Sequence, residues 1–205
     1  WTDLYDNLIV TAYNTSRVRS DEIPRRYEDL LHPRWKGRMV LDQNEDRWFA
    51  NMLYLMGEKK GLEFMQALAK QQIAIRGGRS MVTQLLGAGE YDLQIVAYWY
   101  RPHLMKKQGA PVDWVGLEPA IVALHPISMV QKAPHPNAAR LFIDFVLSKR
   151  GQEVIRGMNR IPDRIDTPPG LARLNENIQP AFAPNEVLDD FERYAKMFHD
   201  IFGGR

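Results

Sequence analysis

The 205-residue sequence contains no cysteine. Disulfides, zinc–thiolate sites and thiol nucleophiles are thereby excluded, and the absence fits an oxidising compartment as well as any other. No apolar run approaches the roughly 18–20 residues that cross a bilayer as a helix, and no secretory signal is legible in the opening Trp1-Thr-Asp-Leu-Tyr-Asp6. An excess of one charge is missing too. The 27 Lys and Arg against 25 Asp and Glu leave +2, too little to argue for nucleic acid or an anionic membrane as partner. What is present is globular in character: 45% hydrophobic and 25% charged residues rule out disorder, collagen and coiled coil. The length allows one large domain or two small ones.

The hydrophobic pattern alternates between strand and helix. Residues 7–14 form a β-rich run closed by Asn14-Thr-Ser, and 20–36 hold a short helix between Pro24 and Pro33. Arg38 to Asp42 is a second strand. Asn44 or Asp46 can cap a helix to about Met56, with Trp48, Phe49, Met52, Leu53 and Met56 on one face. Another helix follows Gly57, using Leu62, Met65, Leu68 and Ala69. Ile73 to Arg76 is a short strand, and Gly77-Gly-Arg-Ser80 opens a helix carrying Met81, Val82, Leu85 and Leu86. Leu93 to Ala97 is the most strand-like run, and it passes through Tyr98-Trp-Tyr-Arg-Pro102 into a basic helix. Residues 112–130 alternate strand and loop. A helix from Pro136 turns Ala138, Leu141, Phe142, Phe145 and Val146 toward a core, and 163–184 are irregular. A last amphipathic helix spans 185–202, using Val187, Phe191, Tyr194, Phe198 and Ile201. There is no internal repeat.

This order predicts an α/β fold with a largely parallel sheet, in which strands near 38–42, 73–76 and 93–97 lie together with helices on both faces. Ligands of open α/β sheets bind beyond the carboxyl ends of the strands. The polar strand-to-helix junctions at 42–46, 76–80 and 98–101 would then set Asn44, Arg79, Ser80, Tyr98, Tyr100 and Arg101 along one concave edge. Arg76-Gly-Gly-Arg-Ser80 offers backbone N–H groups, Gly78 among them, Ser80 as a cap, and two guanidinium groups. That set suits a carboxylate, carbonate or phosphate, and equally an ordinary turn and cap. Glu45 and Asp46 read as complements to a helix dipole, leaving Asn44 as the contact at its junction. Tyr98 and Tyr100 share a face on a strand but diverge by about 200° on a helix; aromatic packing is the other reading. The histidines at 32, 103, 125, 135 and 199 lack metal-ligand spacing, and only His103 lies near the tyrosines. Neither a Ser-His-Asp order nor a carboxylate pair stands out, so no catalytic residue is expected. An α/β enzyme, such as a transferase using the 76–80 junction for phosphate, is the alternative reading, with a receptor-derived sensor as a third.

Six segments in register resemble the ferric-iron class of type 2 periplasmic solute-binding proteins, the receptors of ABC importers. They are Tyr13-Asn-Thr with Tyr27-Glu-Asp-Leu-Leu-His-Pro-Arg-Trp-Lys-Gly-Arg38; Leu86-Gly-Ala-Gly-Glu-Tyr-Asp92; Gly109-Ala-Pro-Val112; the run Ala133 to Ser148; Gly151-Gln152; and Ile161-Pro-Asp-Arg164. The resemblance covers about residues 7–170. It implies an α/β, Venus-flytrap receptor that delivers Fe(III) with a synergistic anion, or a small anionic solute, to an inner-membrane ABC permease. It implies a periplasmic or extracellular location, no catalysis, no nucleic acid partner and no resident cofactor. By the same pattern, 1–121 and 173–205 make the second lobe and 122–172 the C-terminal portion of the first. The N-terminal part of that first lobe has no counterpart here, so the chain is expected to be a fragment. Ile127, Met129, Leu141, Phe142 and Phe145 would then need cover from a preceding segment or from a second copy in a dimer. Tyr98 and Tyr100 fall where iron-binding members carry adjacent tyrosines, and are the metal-ligand candidates, although Trp99 intervenes. Those members also have small hydroxyl-rich residues where this sequence has Gln43-Asn-Glu-Asp-Arg47.

Overall fold

The computed structural model of the protein describes residues 1–174, 180–182, 184, 187 and 189–203. The chain divides into two compact units. The smaller holds Trp1–Leu8 and Val122–Ile178, and the larger holds Ile9–Ile121 and Gln179–Arg205. Residues 1–8, expected with 9–121, therefore group with the segment from 122 onward. Two strands, β1 (Thr2–Asn14) and β6 (Ala120–Ile127), contribute residues to both units.

In the larger unit, β2 (Met39–Asp42), β3 (Ala74–Arg76) and β4 (Leu93–Tyr98) lie in one sheet in the order β3-β2-β4-β1. β2 is parallel to both β3 and β4, as the alternation predicts, while β1 runs antiparallel to β4 and makes the sheet mixed. β5 (Val112–Val115) also pairs with β1 antiparallel, and Ala120 and Ile121 pair in parallel with β8 (Pro180–Ala181). β1 extends beyond the predicted 7–14. Its residues Asn7 to Asn14 are buried without interruption, as in strands covered on both faces. The predicted helix within 20–36 is two 3-10 turns, Tyr27–Leu31 and Pro33–Trp35, separated where Pro33 forces His32 into extended backbone.

Helices α1 (Asp46–Met56), α2 (Glu58–Ala69), α3 (Arg79–Ala88), α4 (Tyr100–Lys107) and α7 (Phe191–Phe202) complete this unit. The predicted apolar stripe of α1 is real: Trp48, Phe49, Met52 and Leu53 are fully buried, as are Met65 and Leu68 of α2. Each such side chain contributes about 1.5–3 kcal/mol by leaving water. The edge of Phe198 meets Phe49, with 5.9 Å between ring centroids, and fixes α7 against α1. Gly61 allows α2 to approach α1, because a Cβ there would lie 2.8 Å from Leu53 Cα. Asp92 is fully buried and accepts Arg17 Nε at 2.5 Å, with Arg38 Nε on its other oxygen. Its backbone N–H also donates to the Arg38 carbonyl at 2.9 Å, which fixes the chain just ahead of β4.

In the smaller unit, β1 pairs antiparallel with β6 from Thr2↔Ile127 to Leu8↔Val122, and with β7 (Ile161–Pro162). Helices α5 (Pro136–Leu147) and α6 (Lys149–Gly157) follow β6. Gln152, fully buried, joins three segments. Its Nε2 donates to the Leu4 and Val146 carbonyls at 2.9 Å, and its Oε1 accepts from the Asp163 N–H at 2.9 Å. The expectation that α5 faces a core is not met. Leu141, Phe142 and Phe145 are 71%, 59% and 47% exposed, and no residue of α5 is buried. The apolar stripe is present, but nothing among the described residues of this unit covers it.

Candidate functional site

Parallel pairing sets the strand ends side by side. Asp42 of β2 is in register with Arg76 of β3, and Val40 with Gln94 of β4. The three strand-to-helix junctions therefore emerge at the same edge of the larger unit, where α1, α3 and α4 begin. Glu45 occupies the cap position of α1 and is 2% exposed. Arg79 is the first residue of α3, behind Gly78, whose φ of +93° favours glycine. Tyr98 ends β4 and Tyr100 starts α4.

These side chains form a continuous stack. Arg79 Nε donates to Glu45 Oε1 at 2.6 Å, and Nη2 donates to Glu45 Oε2 at 3.1 Å. Nη2 also donates to the Asn44 carbonyl at 3.0 Å. The Arg79 guanidinium carbon lies 5.1 Å from the centroid of the Tyr98 ring, within cation–π range. Tyr98 stacks in turn on Tyr100, with centroids 6.3 Å apart and planes at 23°. The rings lie together as the strand reading predicts, although Tyr100 already begins α4. Beneath the stack, buried Asp42 accepts the Asn44 N–H at 2.9 Å.

Burial pushes the Glu45 carboxyl up to about 7 against the pull of the Arg79 hydrogen bonds, with Asp42 and Asp46 adding to the rise. The same contacts raise Arg79, whose guanidinium stays protonated. Burial also raises the Tyr98 phenol, while Arg79 pulls it the other way. Tyr98 is therefore a neutral phenol near pH 7, and a hard cation would have to displace its proton to bind oxygen.

Of the expected site residues, the structure brings Arg79, Tyr98 and Tyr100 together. Asn44 joins them through its carbonyl. Ser80 is not the cap: Gly78 holds that position, because the helix begins at Arg79 and Ser80 falls inside the first turn, exposed. Neither Asn44 nor Asp46 caps α1, since Glu45 stands there, and Asp46 Oδ1 accepts the Arg47 N–H at 3.0 Å. Arg76 Nη1 donates to the Ile75 carbonyl at 2.9 Å. Among the described residues, Ser80 and Arg101 make no hydrogen bond or ion pair to the stack. His103 lies against Trp99, with centroids 5.5 Å apart. The residue that sequence reasoning missed is Glu45. A glutamate in a helix's first turn has an adequate local explanation, and only the alignment of β2, β3 and β4 puts it beside an arginine 34 positions away.

The family profile described as bacterial extracellular solute-binding protein matches residues 1–189. The "Fe(3+)-binding periplasmic protein" of Serratia marcescens is 26% identical over 169 residues, covering 78% of this chain and 50% of that protein. This chain thus spans about half the length of that curated relative. Iron-bound HitA from Pseudomonas aeruginosa superposes with a TM-score of 0.81 at 21% identity, over 97% of this chain and 68% of that one. The periplasmic binding protein AfuA from Actinobacillus pleuropneumoniae, solved with exogenous fructose-6-phosphate bound, gives 0.73 at 21% identity, over 99% and 68%. These structures share the type 2 periplasmic-binding-protein fold with the mixed α/β chain described above. By the extent of the profile match, the chain belongs to the bacterial extracellular solute-binding protein family.

Proposed function

We propose that the chain carries ligand-binding residues of a periplasmic or extracellular receptor that delivers Fe(III), with an accompanying anion, or a small anionic solute to an inner-membrane ABC permease. One observation supports this above the others. Two phenols stack at the carboxyl end of β4, beside the Glu45–Arg79 pair. Phenolate oxygens are hard donors suited to Fe(III), and the Serratia relative binds that ion by its name. Tyr98 and Tyr100 are the proposed metal contacts, with Asn44 and the backbone at the start of α3, around Gly78 and Ser80, proposed for an accompanying anion. The larger unit is assigned to the receptor's second lobe and the smaller to part of its first. A second copy of the chain or a further polypeptide segment is the proposed cover for the α5 stripe. Iron is cargo in this reading, and the chain acts by binding without turnover. Native mass spectrometry with metal analysis of the protein from its own host tests it. Co-purifying iron or a small anion, released intact on denaturation, is expected. Steady conversion of a bound molecule to product would overturn it.

A further inference from the structure

The Arg79 guanidinium carries five N–H donors in a planar fork, and its usual use in a ligand site is two-point capture of an oxyanion. Here that use is closed. The Nε–Nη2 edge is filled by both oxygens of Glu45, and Nη2 donates again to the Asn44 carbonyl. Among the described residues only the two hydrogens on Nη1 have no protein acceptor. Neither edge of the fork can therefore present two parallel donors to an incoming anion. Glu45 also supplies a negative charge against the guanidinium from a nearly fully buried position, where water screens the pair little. The other charged or titratable groups facing this pair are Asp42 from β2, Asp46 from α1 and Tyr98 from β4, with Arg47 of α1 and Tyr100 of α4 on Tyr98 beyond it. With two acids and one arginine among them, they do not restore a positive charge.

We propose that Glu45 is a specificity-determining residue: by filling the fork of Arg79 and cancelling its charge, it keeps free polyanions such as phosphate out of the site and reserves the stacked phenols for a cation or a cation-centred complex. This rests on the proposed ligand site at Tyr98 and Tyr100 and narrows the ligand class for it.

The test is calorimetric titration of the whole chain with inorganic phosphate at about pH 8, above the Glu45 titration. The wild-type chain binds phosphate with a Kd of roughly 1 mM or weaker. Glu45→Gln keeps one acceptor for Arg79 but frees part of the fork and its charge, and binds phosphate at least about tenfold tighter. The Glu45→Gln, Arg79→Gln double variant loses that gain. A Glu45→Gln chain that melts cooperatively near the wild-type temperature with unchanged phosphate affinity overturns the proposal. So does wild-type binding tighter than about 10 μM. If the Gln variant does not fold, the wild-type affinity decides alone, a Kd of roughly 1 mM or weaker supporting the proposal and a tighter one overturning it. Failure of the ligand site itself has a different signature. A Tyr98→Phe, Tyr100→Phe chain would handle an Fe(III) chelate like the wild type, while Glu45→Gln still gained phosphate.

Discussion

Asp3 and Asp6, on β1 in the smaller unit, bring carboxylate oxygens within 4.8 Å of each other. Asp163 brings a third carboxylate oxygen within 4.8 Å of both. Carboxylates this close repel one another when all are ionised, which favours a proton on one of them. Burial is the largest cause, and Asp3 and Asp163 add to it: Asp6 is pushed up to about 8. Because the folded chain holds this proton and the unfolded chain releases it near the ordinary value of 3.8, stability is greatest below about pH 4 on this account and falls as pH rises toward about 8. The Asp6→Asn variant keeps a donor at that position permanently. Its melting temperature should exceed the wild-type value at pH 8 and lose most of the decline between pH 5 and 8. Parallel pH curves for the two chains would contradict a proton held on Asp6.

Asp92 presents the opposite case, a buried carboxylate whose partners are both cationic. Arg17 and Arg38 each reach it from side chains that are about 40% exposed or more. Removing the charge leaves the two arginines only one neutral amide oxygen at the entry to β4, and breaking such a buried pair costs about 3–5 kcal/mol. Chemical denaturation of Asp92→Asn should show a loss in that range. A loss below about 1 kcal/mol, the size of a surface pair, would mean that the ion pairs do not hold this junction.

The stripe on α5 leads to a prediction about association. Leu141, Phe142 and Phe145 form a contiguous helical face that the described residues of their unit do not cover, and exposed patches of this kind attract other surfaces. Sedimentation of the chain should show concentration-dependent self-association. Phe142→Ser together with Phe145→Ser should return it to a monomer with no loss of cooperative unfolding. A wild-type chain that stays monomeric at every concentration would remove the second copy as the proposed cover.

How far the sequence was legible follows from what each element depends on. The stripe Trp48, Phe49, Met52, Leu53 predicted a buried face of α1, and Leu93 to Ala97 predicted a buried strand, because burial imprints its period locally. The direction of β1 was not legible, since Asn7 to Asn14 carries the same apolar run whether it pairs parallel or antiparallel. Phe142 and Phe145 show the limit of periodicity: the pattern states which face is apolar and not whether anything lies against it. At the site, the junctions containing Arg79, Tyr98 and Tyr100 were visible as polar residues after strands. The Glu45–Arg79 pair was not, because it exists only through the register of three strands.

The most direct measurement is a titration of the wild-type chain with Fe(III) nitrilotriacetate, followed by visible absorbance. A phenolate-to-Fe(III) charge-transfer band that saturates with added metal is expected. The band is expected to weaken at least about tenfold in apparent affinity in Tyr98→Phe and to be absent in Tyr98→Phe, Tyr100→Phe, each variant melting cooperatively. A band of full intensity in the double variant, or no band in the wild-type chain, would contradict the assignment of Tyr98 and Tyr100 as the metal contacts.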